Sequence, residues 1–263
     1  MKKLLLLCAC LTFLASCNFQ RDKEHTKNIY IHVNYKQKVN GYDVSAIIIT
    51  DSVHEEYFAD IVTREAMLIF KKDNQELTVL NPSYAAKNFI GYTESLRNGM
   101  TIEAEYIPFK LSEHNTFIGN QSPFFFFDVD FDGVNELIVC LWEEMGYRGH
   151  HAYYAYKINV GSGTHQLSPM QEAPFDVLDD YTEFDPIYKT ISVPQGVDLK
   201  MEGKKVYGLV DDSFMLIERV QYDWEHTKGM KYELCEPTIY HYMIVDGKEI
   251  IDKIERCPND KRE

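Results

Sequence analysis

The sequence predicts a mainly β protein, built of antiparallel hairpins in more than one sheet, with one or two short helices. Three observations carry this. Apolar and β-branched residues recur in short alternating runs. Asn-Gly and Asp-Gly pairs fall between such runs, where small residues allow the primed turns that match strand twist. An acidic stretch, D-x-D-x-D-G, sits between two strongly apolar segments in the middle of the chain.

Taken in order, Ile29-Tyr-Ile-His-Val33 alternates, Asn40-Gly41 turns the chain, and Ala46-Ile-Ile-Ile-Thr50 follows as a β-branched run. Ala66–Phe70 and Leu77–Leu80 flank the polar turn KKDNQE. Alternation resumes over Thr101–Phe109 after Asn98-Gly99. Phe124–Phe127 and Leu137–Trp142 bracket the acidic loop, Tyr153–Ile158 is rich in β-prone aromatics, and Gly161-Ser-Gly163 turns back. Lys189–Val193, Val206–Val210 and Ser213–Tyr222 read as strands. Thr238–Val245 and Glu249–Ile254 form a closing hairpin about Asp246-Gly247. Ser52-Val-His-Glu55 has capping-box spacing for one short helix, and Asn81-Pro82 suits the start of a second.

The N-terminus, MKKLLLLCACLTFLASC, has the anatomy of a secretory signal: Lys2 and Lys3, then Leu4–Leu14, too short to span a bilayer. Its Leu14-Ala15-Ser16-Cys17 resembles the bacterial lipoprotein box, which implies cleavage after residue 16 and acylation at Cys17. An ordinary cleaved signal is the alternative. Asn18, rather than Asp, makes the outer membrane the default destination of such a lipoprotein, facing the periplasm or the surface. Residues 18–28 read as a polar tether, residues 29–112 as an N-terminal β unit, and residues 113–263 as a second β domain carrying the acidic loop.

Charge and composition exclude several classes. A formal net charge of -14 argues against nucleic acid as a partner and admits cations and basic proteins. No Walker loop, G-x-S-x-G or dinucleotide fingerprint occurs, and His54-Glu55 lacks the second histidine of a zinc-protease motif. Cys140 lies inside an apolar run, as a buried thiol would. Cys235 and Cys257 flank the closing hairpin and either pair in an oxidising compartment or remain thiols.

The acidic loop is the strongest chemical signal. Asp128, Asp130 and Asp132 occupy positions 1, 3 and 5, Gly133 the sharp turn at 6, and Glu136 position 9. Val134, at position 7, offers its backbone carbonyl. Val139 stands at position 12, where an EF-hand has an acidic residue, and the flanks are strands rather than helices. Four carboxyl groups in one turn repel each other, and a hard cation with flexible oxygen coordination relieves that repulsion. Calcium fits this better than magnesium, and a structural role fits better than a catalytic one; a solvated acidic turn is the alternative. The loop Gly146-Tyr-Arg-Gly-His-His151 exposes Tyr147 and Arg148 as candidates for partner contact, against an ordinary turn. The 18 tyrosines and 15 phenylalanines serve either a core or a sugar-binding surface.

From Phe124 onward, "FFFFDVDFDGVNELIV", the Gly-x-Arg-Gly loop, "HAYYAYKI" and "LDDYTEFDPIYKTISVPQG" resemble a group of bacterial cell-envelope lipoproteins. The likeness covers about half the chain and leaves residues 29–112 unexplained. It implies a β-rich, propeller-like fold and a calcium hairpin whose ligands map onto Asp128, Asp130, Asp132 and Glu136. Some members inhibit, or give immunity against, secreted lysozyme-like effectors. The expectation is therefore a lipid-anchored, calcium-binding envelope protein that binds a partner, such as a basic hydrolase, and catalyses nothing. A glycan-binding envelope lipoprotein is the alternative.

Overall fold

The computed structural model describes residues 29–50, 63–81, 98–120, 122–142, 151–161, 164–196, 202–224 and 236–256. Their strands form three sheets, antiparallel except for one pair. The first sheet holds β1 (Ile29–Tyr35), β2 (Asp43–Thr50), β3 (Thr63–Lys72), β4 (Gln75–Asn81) and β5 (Met100–Ala104), in the order β4-β3-β2-β1-β5, with β5 parallel to β1. Period-two alternation puts Ile31, Val33, Val44, Ala46, Ile48, Ala66, Leu68, Phe70, Leu77 and Val79 on one buried face. They meet across strands as Ile31↔Ile48, Ile48↔Ala66 and Leu68↔Val79. Asn40 and Gly41 both take positive φ, 51° and 82°, the primed turn that their small side chains allow.

The second sheet holds β6 (Phe124–Phe127), β7 (Glu136–Trp142), β8 (His151–Gly161), β9 (Thr164–Pro169) and β10 (Leu178–Asp179), in the order β10-β8-β7-β6 with β9 also on β8. The third runs β11 (Glu183–Asp185), β12 (Thr190–Gln195), β13 (Gly203–Val210), β14 (Ser213–Asp223), β15 (Thr238–Val245), β16 (Lys248–Glu255), each strand beside the next.

The second sheet is the middle layer, and the four phenylalanines of β6 show why. Phe124 and Phe126 face the first sheet, their rings 5.1 and 6.0 Å from Phe70, and Phe126 stacks on Tyr42 at 5.9 Å. Phe125 and Phe127 face the other way, 5.1 and 5.9 Å from Phe117, with Phe184 of the third sheet 5.3 Å from Phe127. A strand covered on both faces is apolar at every position rather than at alternate ones. Buried residues from all three sheets form one continuous cluster. Phe109 and Phe117 enter it from the connector after β5, and the Phe184 N–H donates to the Asn115 carbonyl at 3.0 Å, tying that connector to the third sheet.

The mainly β class holds, with two differences from the sequence reading. The three sheets close into neither a barrel nor a propeller: they hold five, five and six strands and stack about a shared aromatic core rather than radiating as equal blades. Among the described residues, the 3-10 turn Phe175–Val177 is the one helical segment. The helix expected from Ser52 lies outside the described residues; of the second, Asn81 is the last residue of β4 and the rest lies outside them. β5 stops at Ala104 although alternation runs to Phe109, because its partner β1 ends at Tyr35, where the chain departs toward the Asn40-Gly41 turn.

Candidate functional site

The acidic loop joins β6 to β7. Two backbone features shape it: Phe131 at φ 62° and Gly133 at φ 89°. Gly133 needs no other reason to be glycine, since a Cβ there would meet nothing within 4 Å. The aspartates hold the turn by accepting its own N–H groups. Asp128 Oδ1 accepts from Asp132 N at 3.1 Å, Asp128 Oδ2 from Gly133 N at 3.0 Å, and Asp132 Oδ1 from Val134 N at 2.7 Å. The strands beneath are fixed by the core, so the loop is presented on a rigid base.

Asp128, Asp130 and Glu136 each bring a carboxylate oxygen within 4.8 Å of the other two. That span is about twice a calcium–oxygen bond of ~2.3–2.6 Å, so one ion among them could draw on all three, and the oxygen-only donor set suits a hard cation. Asp132 stands outside this trio and turns toward Lys157 instead. Val134 has an exposed side chain, and its N–H is taken by Asp132. Glu136 is the buried member, 2% exposed, and its Oε2 accepts from Val129 N at 3.0 Å. Burial above all, then the charge on Asp130, pushes its carboxyl up to about 8; the Val129 N–H and Lys157 offset only part of this. A carboxyl so placed gains from a cation beside it.

Lys157 is the residue that sequence reasoning missed. It lies on β8, one step beyond the Leu137↔Tyr156 pair, so the register sets it opposite Glu136. Its ammonium contacts Asp130 Oδ2 directly and lies 3.6 Å from Asp132 Oδ2. The hydrogen bond to Asp130 holds its pKa above the usual lysine value, against a smaller effect of burial. The signal was a lone lysine interrupting the aromatic run HAYYAYKI. A cavity of about 690 Å³ opens beside the loop, lined by Asp130, Asp132, Lys157, Phe131, Lys189 and Phe214.

A second polar cluster lies at the far end of β8. Asp180 accepts from His151 N at 3.0 Å and from the Tyr153 hydroxyl at 2.6 Å, and lies 3.0 Å from His151 Nδ1. Burial would raise this carboxyl, but the bonds from His151 and Tyr153 outweigh it and hold it below the ordinary aspartate value. Cys140 sits beside it as a buried thiol, as its apolar run predicted, and burial pushes its pKa far up, which makes it a poor nucleophile. Cys17, Cys235, Cys257, Tyr147 and Arg148 lie outside the described residues. No helix among the described residues is long and apolar enough to cross a membrane.

No protein-family model matches the chain, and no curated protein matches it. Among solved structures, the chain is similar to a Xanthomonas type IV secretion system related protein, with a TM-score of 0.53 and 12% identity over 87% of this chain and 98% of that one. At that identity the likeness is one of fold.

Proposed function

We propose that this chain is a lipid-anchored protein of the bacterial cell envelope, held at Cys17, whose acidic loop carries a structural calcium ion and which acts by binding another protein. The observation that carries the metal assignment is the convergence of Asp128, Asp130 and Glu136 on one point, with Glu136 buried and its charge disfavoured. When bound, calcium would neutralise the carboxylates and join the end of β6 to the start of β7, where Glu136 stands opposite Phe127. Asp132 and the Val134 carbonyl complete the proposed ligand set.

Two observations support the binding role. The fold is shared with a protein related to a secretion system, and the formal charge of -14 favours a basic partner. The partner class that fits is a basic hydrolytic effector, which the chain would inhibit or give immunity against, with Tyr147 and Arg148 as contact residues. The test is a titration of the mature protein against purified basic lysozyme-like hydrolases at physiological salt. Binding below micromolar Kd with loss of hydrolase activity supports the reading, and no binding at micromolar concentration overturns it.

The glycan alternative has one observation in its favour. Tyr240 and Tyr242 lie near-parallel on β15, 27° apart, as a stacking platform would. The Arg219 guanidinium lies over the Tyr242 ring at 4.1 Å, however, and covers one of its faces. Binding on a glycan array that is lost in Tyr240→Ala would favour this second reading.

A further inference from the structure

Lys157 occupies an unusual place. The cluster that would hold the metal already holds an ammonium group: Lys157 Nζ contacts Asp130 Oδ2 and lies 3.6 Å from Asp132 Oδ2. We propose that Lys157 is a built-in competitor for the ion, seated on Asp130 in the metal-free protein and displaced when a divalent cation binds. This rests on the reading of the loop as a metal site.

Three features support displacement rather than a fixed pair. The two partners differ in freedom: the Asp130 side chain is 11% exposed and Lys157 is 43% exposed. Asp130 belongs to a turn fixed by backbone bonds, whereas lysine is a point charge on a flexible four-carbon stem. There is also room to withdraw, since the cavity beside the loop is lined by the same lysine. Finally, the two cations would meet at one carboxylate, because Asp130 both pairs with Lys157 and is one of the three converging residues. An ammonium left in place would repel a divalent ion at close range.

The consequence is a site that is pre-shaped and partly neutralised without metal, with its affinity lowered by the cost of expelling the lysine. Apparent affinity falls with the fraction of protein in the competent state, so removing the competitor raises it. The loop would then fill only where calcium is abundant, as outside the cell, and would not scavenge trace cations.

The experiment uses the mature chain and three variants: Lys157→Met, which keeps the stem and loses the charge; Lys157→Gln, a second variant in case the first fails to fold; and Lys189→Met. Lys189 donates to the Phe131 carbonyl of the same loop at 3.3 Å, so its loss removes a nearby charge without freeing a carboxylate. Calcium is titrated by calorimetry, and melting is followed in chelator. The expected result is at least about tenfold tighter binding in both Lys157 variants and a lower Tm for them in chelator, with Lys189→Met within about twofold of wild type. Unchanged or weaker binding in the Lys157 variants, where wild type binds, overturns the proposal and leaves the metal reading standing. Equal tightening in Lys189→Met also overturns it, because general charge then explains the effect. Binding by the Lys157 variants but not by wild type supports competition and removes calcium from the native protein. Binding by none of the four overturns both.

Discussion

The β6–β7 hairpin and the β14–β16 arm are made of similar strands and are held in different ways. In the hairpin, Phe124, Phe125, Leu137, Ile138 and Val139 are wholly buried, and aromatic rings cover both faces. In the arm, seven of the eight residues of β16 are exposed, among them Ile250, Ile251 and Ile254. The side chains of β16 pair at the surface, as Glu249 does with Arg219 at 2.7 Å. The hairpin draws stability from apolar area removed from water, and the arm mostly from its backbone ladder. The difference teaches where a charge can matter: beside the buried hairpin each carboxyl group needs a partner, whereas in the arm water does the same work.

The largest effect that sharpens this contrast is Phe117→Ala, which empties the contact between Phe125, Phe127 and Phe184. It should cost about 3–5 kcal/mol in denaturant unfolding, while Ile251→Ser in the arm should leave the midpoint unchanged. Comparable losses at both positions would erase the distinction. Next is Asp180→Ala, which leaves the buried Tyr153 hydroxyl without its acceptor and should cost about 1–3 kcal/mol. Because Asp180 is held below its ordinary value, its contribution is present above the unfolded aspartate pKa and is lost as pH falls through the lower folded value. The wild type should therefore lose stability below about pH 4 more steeply than Asp180→Ala.

Glu136 has the opposite sign. Raised to about 8 from an unfolded value of 4.5, it favours folding at low pH and opposes it increasingly as pH rises through that window. In chelator, Tm should fall from pH 5 to pH 8 in the wild type and be flatter in Glu136→Gln. Calcium should remove the slope in the wild type and do nothing in the variant. The smallest effect belongs to the arm: Glu249→Gln, which removes an exposed partner of Arg219, should give no resolvable change in Tm at physiological salt.

How much of this could be read from the chain depended on range. The Asn40-Gly41 and Asp246-Gly247 turns were legible because their conformation is set by local sterics, and both pairs take positive φ. The acidic loop was legible for the same reason, its aspartates accepting the N–H groups of their own turn. The turn at Asp211-Asp212, both at positive φ, carried a weaker form of that signal. The sheets were another matter. FFFF announces a strand buried on both faces, but not that Tyr42 and Phe70 would cover one face and Phe117 the other. Lys157 and Asp180 act across strands, at 27 residues from Asp130 and from Tyr153 respectively, and no local spacing marks such pairs. Propeller closure followed from resemblance alone, and it is the feature that packing did not reproduce.

The central claim is that a divalent ion at Asp128, Asp130 and Glu136 clamps β6 to β7. The most direct measurement is the melting temperature of the wild type and of Asp130→Ala, each with millimolar calcium and with chelator. A rise in Tm on adding calcium to the wild type, absent in Asp130→Ala, is the predicted result. Equal loss in Asp130→Ala with and without calcium, or no response of the wild type to calcium at all, would contradict it.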